Sequence, residues 1–177
     1  MNAKDIIREQ ISASAEIKQQ LLSDNRVCDV IAKAAQICVE AYRNGKKTLF
    51  AGNGGSAADA QHLAGEFVSK FYFDRPGLPS IALTTDTSIL TAIGNDYGYD
   101  RLFARQVQAQ GNEGDVFIGI STSGNSKNLV EALPECHRKG IYTIALTGSK
   151  PCKMDDFDLV IKVPSDSPPR IQECQTL

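Results

Sequence analysis

The sequence predicts an α/β fold, a three-layer α-β-α sandwich built on a five-stranded parallel sheet. Five short apolar segments alternate with segments of helical periodicity, which is the pattern of a parallel sheet covered on both faces. Three polar loops, at residues 52–56, 84–88 and 121–126, follow predicted strands. Because ligands of such sheets bind beyond the carboxyl ends of the strands, these loops are the expected binding site.

Two predicted helices precede the sheet, at residues 4–22 and 26–43. Apolar residues recur at helical spacing in both, and Ser23, Asp24 and Asn25 offer N-cap chemistry for the second helix. Residues 1–45 therefore form a helical pair ahead of an α/β core at residues 46–177, within one domain. The pair packs either on its own sheet or in a bundle with the same pair of another subunit, and the pattern does not choose between them.

The other predicted elements alternate along the chain. The strands are the apolar segments 47–51, 80–84, 115–120, 141–146 and 158–163. The helices are residues 57–69, a short helix capped by residues 85–88, residues 101–110, residues 127–138 and a last helix from Arg170. A polar loop is predicted at residues 94–100 from its glycine, asparagine and aspartate content.

Composition narrows the class of ligand. The formal net charge of -2 disfavours a general nucleic-acid or anionic-membrane surface, whereas a phosphorylated small molecule needs only local N–H groups. The 5 cysteines are scattered without a C-x-x-C pair, which indicates a reducing, intracellular compartment. We find no signal-peptide pattern and no apolar run of membrane-spanning length. We expect a soluble, cytoplasmic protein that binds neither nucleic acid nor membrane.

The glycine-rich turn at residues 52–56 lies between a predicted strand and a predicted helix. Glycines let the backbone approach a ligand, and the first N–H groups of the helix point at an anion, so the turn favours a phosphate. Gly52, Gly54 and Ala57 also match the dinucleotide fingerprint. The acidic residue that this fingerprint requires comes only near Asp86, however, later than the usual spacing of about 20 residues. A structural turn without ligand is the third alternative.

A second loop, at residues 121–126, carries four hydroxyl groups. They belong to Ser121, Thr122, Ser123 and Ser126. At a strand-to-helix junction, hydroxyl and N–H groups can surround a phosphate monoester without lysine or arginine. A helix N-cap is the simpler alternative, but it accounts for only one or two of the hydroxyls.

Asp59, His62 and Glu66 share one face of the helix that follows the glycine-rich turn. An imidazole four residues before a carboxylate suits either a metal site or an acid/base pair, although a lone helical histidine is more often only a polar residue. Asn95 and Asp96 contact either a polyol or only their own turn.

Together these motifs resemble the phosphoheptose isomerases of the sugar isomerase (SIS) domain superfamily, over essentially the whole chain. The matching segments are Gly52–Ser56, His62-x-x-x-Glu66, Thr84–Asp86, Gly94–Gly98, Gly119–Ser126 and Arg170–Glu173. The resemblance implies a flavodoxin-like SIS domain that converts D-sedoheptulose 7-phosphate to D-glycero-D-manno-heptose 7-phosphate, the first step toward activated heptose for bacterial surface polysaccharide. It also implies a homotetramer with sites between subunits.

The resemblance further implies the roles of single residues. The substrate-binding residues would be Asn53, Gly54, Gly55, Glu66, Asn95, Asp96, Ser121, Thr122, Ser123, Ser126 and Gln172. Glu66 would be the catalytic base, and His62, Glu66 and Gln172 would bind zinc. The family places another histidine about two turns beyond Gln172, yet the sequence stops at Leu177, so we expect that a C-terminal segment is missing from it.

The chemistry of the reaction fits these residues. Interconverting a ketose and an aldose moves a proton between adjacent carbons through an enediol, which a carboxylate such as Glu66 can perform. Zinc ligation would compete with that role, and both roles stay open. The alternative function is a non-catalytic SIS module that binds a phosphosugar or a protein. The silent relatives that bind a replication initiator lack a carboxylate at the position of Glu66, so Glu66 favours an enzyme.

Overall fold

The computed structural model describes residues 2–177 and contains a five-stranded sheet whose strands are all parallel. The strands are β1 (Thr48–Gly52), β2 (Ser80–Ala82), β3 (Val116–Ile120), β4 (Tyr142–Thr147) and β5 (Leu159–Lys162). Their order in the sheet is β2-β1-β3-β4-β5, the doubly wound order of flavodoxin-like folds. The predicted parallel α/β sandwich is thus confirmed.

Helices cover both faces of the sheet. They are α1 (Ala3–Ser23), α2 (Asn25–Arg43), α3 (Gly55–Val68), α4 (Thr87–Tyr97), α5 (Leu102–Gln110), α6 (Lys127–Val130), α7 (Leu133–Arg138) and α8 (Pro168–Gln175). Single turns of 3-10 helix lie at Tyr99–Arg101 and Lys153–Asp156. Within residues 2–177, none of these helices combines the length and the apolar character needed to cross a membrane.

The core lies on both sides of the sheet because neighbouring strand residues point to opposite faces. Leu49 and Phe117 pack in one cluster, with residues of α5, α6 and α7. Phe50 and Ile118, one position further along each strand, pack in the other cluster, with residues of α2 and α3. This alternation fixes the face of the sheet on which each helix lies.

The two N-terminal helices differ in their burial. α2 buries Ala34, Cys38 and Ala41 in the cluster that covers the sheet, so it packs on its own core. α1 has no buried residue, and only its Ile17 and Leu21 pack against a small cluster that includes residues of α8. α2 therefore packs on its own sheet, the first of the two predicted alternatives, while most of α1 stays exposed.

The predicted loop at residues 94–100 was wrong over its first half. Gly94 to Tyr97 form the last turn of α4, and the helix ends at Gly98, whose φ is 84°. Leu90 and Ile93 are half-buried and lie one turn apart, so the apolar face continues into this region. Tertiary packing here outweighs the local turn preference of glycine, asparagine and aspartate.

The predicted single helix at residues 127–138 is two helices, α6 and α7. Pro134 lies in the first turn of α7 and has no N–H to continue a helix from α6, so the helix restarts there. At the C-terminus, α8 begins at Pro168 rather than Arg170, because a first helical turn tolerates proline. The predicted strand at residues 80–84 ends at Ala82.

Candidate active site

The glycine-rich turn at residues 52–56 and the hydroxyl-rich loop at residues 121–126 follow adjacent strands of the sheet. Gly52 at the end of β1 pairs with Ile120 at the end of β3. From β1 the chain goes first to β2 on one side of the sheet, whereas β3 and β4 lie on the other side, so the strand order reverses between β1 and β3. Ligands of doubly wound sheets bind at this point, and the two loops border it.

The glycine-rich turn brings backbone rather than side chains to this crevice. Gly54 adopts a φ of 57°, which side chains rarely tolerate. A Cβ on Gly55 would lie 2.2 Å from the side-chain amide nitrogen of Gln172, so Gln172 packs directly on the Gly55 backbone. No side chain among residues 2–177 caps the N-terminus of α3. Its first N–H groups are therefore suited to an anion.

In the loop at residues 121–126, which we call the serine loop, the hydroxyl groups converge. Ser121 Oγ lies 2.9 Å from Ser126 Oγ, and the Gly124 N–H donates to Ser121 Oγ at 3.2 Å. Ser126 occupies the N-cap position of α6, yet its hydroxyl does not cap that helix. The N-cap alternative thus fails for Ser126. Thr122 and Ser123 line a cavity of about 240 Å³ together with Lys150.

The imidazole and the carboxylate predicted on α3 form a pair. His62 Nδ1 lies 3.9 Å from Glu66 Oε1, with the side chains 59% and 31% exposed. Both residues line a second cavity of about 230 Å³, which also includes Arg75. Arg75 donates to the backbone oxygens of Glu66 and Phe67 at 2.9 and 2.8 Å, and so caps the C-terminal end of α3.

Asp59, one turn before His62, is buried without full hydrogen bonding. Its Oδ2 atom has no partner among the described residues, and the residue is only 8% exposed. Burial raises the pKa of the Asp59 carboxyl, while the nearby Gln172 amide and His62 oppose the shift. Asp59 and Gln172 therefore connect α3 with α8 beside the glycine-rich turn.

Comparisons with known proteins decide the family. The SIS domain family matches residues 11–148. The phosphoheptose isomerase of Aneurinibacillus thermoaerophilus is 61% identical over 96% of this chain and 86% of its own length. This chain belongs to the phosphoheptose isomerase family. Phosphoheptose isomerase 2 of Campylobacter jejuni is 60% identical over 99% of this chain and 88% of its own.

A solved phosphoheptose isomerase structure, from Francisella tularensis, shares the fold with a TM-score of 0.93 at 38% identity. The match covers 99% of this chain and 93% of that chain. The similarity therefore extends over the N-terminal helices, the sheet and α8, so the whole described chain has the architecture of a phosphoheptose isomerase.

The zinc site expected for a phosphoheptose isomerase is incomplete within the described chain. The 3.9 Å between His62 Nδ1 and Glu66 Oε1 allows both to bind one ion with bonds of about 2.1 Å. Gln172 instead packs against Gly55 and lies beside Asp59. Residues 2–177 contain no cluster of three or more His, Cys, Asp or Glu side chains that could hold a metal. The described residues alone therefore do not fit a zinc centre, and no step below depends on one.

The residues that the sequence predicts for the site line separate cavities or lie on the exposed surface. Asn53 and Gly54 line a third cavity of about 370 Å³, whose lining includes neither Thr122 nor Glu66. Asn95 and Asp96 are exposed on α4, where the Asn95 side chain donates to Asp96 Oδ1 at 2.8 Å. α8 contributes to the lining of the first two cavities, with Pro168 and Ile171 in one and Gln175 in the other.

Two polar residues that lie beside the site, Asn128 and Tyr99, were not identified from the sequence. Both bind the side chain of Asn53, at 3.0 and 2.8 Å. Asn128 lies 75 positions from Asn53 in the chain. The sequence carries no local signal for such a contact, because it depends on the order of β1 and β3 in the sheet.

Proposed function

We propose that this chain isomerises D-sedoheptulose 7-phosphate to D-glycero-D-manno-heptose 7-phosphate. The observation that carries the proposal is the convergence of the Ser121 and Ser126 hydroxyls, 2.9 Å apart, beside the switch point of the sheet. This arrangement suits a phosphate monoester, and the family of the chain acts on phosphosugars with seven carbons. The glycine-rich turn, with its uncapped helix N-terminus, adds N–H donors on the neighbouring strand.

In the proposed mechanism the serine loop holds the phosphate, and Glu66 moves the proton. Its carboxylate takes a proton from C1 of the ketose, which gives an enediol, and returns a proton to C2. The C1 hydroxyl loses its proton and the C2 oxygen gains one, so a C1 aldehyde results. A positioned base contributes about 10²–10⁴ to the rate of such a step. His62 Nδ1 lies 3.9 Å from this carboxylate, beyond hydrogen-bond distance.

The proposal includes a homotetramer with sites between subunits. Within one chain the serine loop and Glu66 line different cavities, so a neighbouring subunit would bring the two together. Ile6, Ile7 and Ile11 of α1 are exposed and offer apolar surface for such contacts. We place the protein in the cytoplasm, since all five cysteines are free thiols and the substrate is a metabolic phosphosugar.

Zinc stays a prediction that rests on the family resemblance. Elemental analysis of the purified protein tests it. One zinc per subunit would support the ligand set His62, Glu66 and Gln172 with a further ligand from elsewhere. Absence of zinc from an active preparation would contradict it.

Turnover in D₂O, followed by NMR, tests the proposed function. We expect an aldose 7-phosphate with deuterium at C2, because a proton on a carboxylate exchanges with solvent. A hydride shift would leave C2 unlabelled and would contradict the role of Glu66. Binding of the ketose phosphate without any aldose would contradict the enzyme and favour the non-catalytic SIS module.

A further inference from the structure

Two asparagine side chains connect the glycine-rich turn with the helix that follows the serine loop. Asn53 lies in that turn, and Asn128 lies in α6, where it is only 2% exposed. The Asn53 amide donates to Asn128 Oδ1 at 3.0 Å, and the Asn128 amide donates to Asn53 Oδ1 at 2.9 Å. We call Asn53 and Asn128 the asparagine pair. It crosses the switch point between β1 and β3.

Tyr99 adds a third hydrogen bond to the pair. Its hydroxyl donates to Asn53 Oδ1 at 2.8 Å, from the 3-10 turn after α4. A carboxamide oxygen has two lone pairs, and its nitrogen has two hydrogens. The Asn53 oxygen is therefore fully used, and one N–H remains. The Asn53 side chain can give a ligand one hydrogen bond at most, so its main task is to join neighbouring segments.

The serine loop is also fixed from its other side. The Met154 N–H donates to the Gly124 oxygen at 3.0 Å, and the Lys153 N–H donates to Asn125 Oδ1 at 3.0 Å. A Cβ on Gly124 would lie 2.2 Å from Cys152 Sγ, so these two residues are in close contact. The 3-10 turn thus holds the loop on one side, and the asparagine pair connects its other side to the start of α3.

Glu66 lies on α3, whereas the phosphate is held by the serine loop. In the proposed tetramer the sugar held by one serine loop meets Glu66 of a neighbouring subunit, so the position of the base depends on how firmly α3 is held within its own chain. A displacement of about 1 Å in such a geometry can lower a rate about 100-fold. Buried amide pairs of this kind define geometry because breaking one leaves polar atoms unsatisfied.

We propose that Asn128 and Tyr99 are positioning residues of the isomerase site, acting through Asn53. They hold α3 against the serine loop of the same chain, and with it the position in which that chain presents Glu66 to a substrate. The inference rests on the proposed function, since the reaction that they serve is the isomerisation. The asparagine pair itself exists independently of that reaction.

A double-mutant cycle on the asparagine pair tests the proposal. We compare Asn53→Ala, Asn128→Ala and the double variant, with kcat and KM measured on sedoheptulose 7-phosphate per folded protein. Each single change should lower kcat about tenfold or more, while KM changes less than about threefold because the serine hydroxyls still hold the phosphate. The kcat of the double variant should be within about threefold of the kcat of the less active single variant, because both changes break the same contact.

Tyr99→Phe removes only the hydroxyl and should lower kcat about threefold. Tyr97→Phe is its matched control. Tyr97 is an exposed tyrosine of neighbouring α4, and within residues 2–177 its hydroxyl accepts only from Arg105, at 3.4 Å. The control should match the wild type. Equal effects of the two changes would contradict the role of Tyr99.

Hydrogen exchange provides a measurement that does not need turnover. In Asn128→Ala, the backbone amides of Ala57 and Ala58, which donate to the Gly54 oxygen at 3.1 and 3.3 Å, should exchange about tenfold faster than in the wild type, and Tyr97→Phe should leave them unchanged. Unchanged exchange, or kcat values of both single variants within about threefold of the wild type, would overturn the positioning role. If the wild type itself shows no turnover, the proposed function fails, while the exchange result still decides whether the pair holds the two segments.

Discussion

Asp59 shows how a single side chain near the site can oppose stability. Its carboxyl is buried on α3, and burial raises its pKa above the ordinary value of 3.8. The native state therefore keeps the proton at pH values where the unfolded chain has already lost it. As the pH rises from 3.8 through the raised pKa, the free energy of unfolding falls, and it stays lower at neutral pH.

Asp59→Asn should therefore stabilise the protein at pH 7, by on the order of 1 kcal/mol, the scale of one unsatisfied buried polar group. The gain should disappear below about pH 3.8, where the carboxyl is protonated in both states. Denaturant unfolding across this pH range measures it. Asp29→Asn, at an exposed position of α2, is the control and should change little. A gain that is independent of pH would contradict this account.

At the scale of elements, one ion pair connects the starts of the two strands that carry the site. Asp115, only 1% exposed in its side chain, forms a salt bridge with Lys47 Nζ before β1. It also accepts from the backbone N–H groups of Lys47 at 3.1 Å and of Asn112 at 2.8 Å. The carboxylate thus fixes β1 against β3 at the end opposite to the site.

Asp115→Ala should lower the free energy of unfolding by about 3 kcal/mol, since it leaves a largely buried ammonium without its partner. Asp166→Ala removes a carboxylate from an exposed pair with Lys150, 3.4 Å apart, and should cost less than about 0.5 kcal/mol. Thermal and denaturant unfolding compare the two variants. Similar losses in both would show that burial of the Asp115 pair does not matter.

Most elements could be predicted from the sequence because each strand is an apolar segment bounded by polar turns. The C-terminal turn of α4 could not, since Gly94, Asn95 and Asp96 prefer turns locally and only packing of Leu90 and Ile93 extends the helix. The serine loop was recognisable from its hydroxyl spacing. Its link to the glycine-rich turn was not, because strand order brings distant residues together and no local pattern encodes it.

At the scale of the whole molecule, α1 leaves apolar surface uncovered. Ile6, Ile7 and Ile11 are 48%, 57% and 64% exposed, whereas α2 next to it packs on the sheet. Such a surface suits contact with another subunit. Thr122 and Glu66 line different cavities of one chain, which also favours a site completed by a second subunit. Both observations support the proposed homotetramer.

Light scattering of the protein in solution should give a mass near four times 19.2 kDa. Ile7→Glu combined with Ile11→Glu should shift the mass toward smaller species, because each change places a charge in the proposed interface. Glu9→Gln, on the same helix, removes no apolar surface and should leave the mass unchanged. A monomeric wild type at micromolar concentration would contradict the tetramer.

The central claim is that Glu66 moves the proton while the serine loop holds the phosphate, and Glu66→Gln tests it most directly. We measure kcat/KM on sedoheptulose 7-phosphate together with affinity for inorganic phosphate, with Glu9→Gln as the matched control. We predict a loss in kcat/KM of about a hundredfold or more with phosphate affinity within about twofold of the wild type. A Glu66→Gln variant that keeps more than about a tenth of the wild-type kcat/KM would contradict the claim.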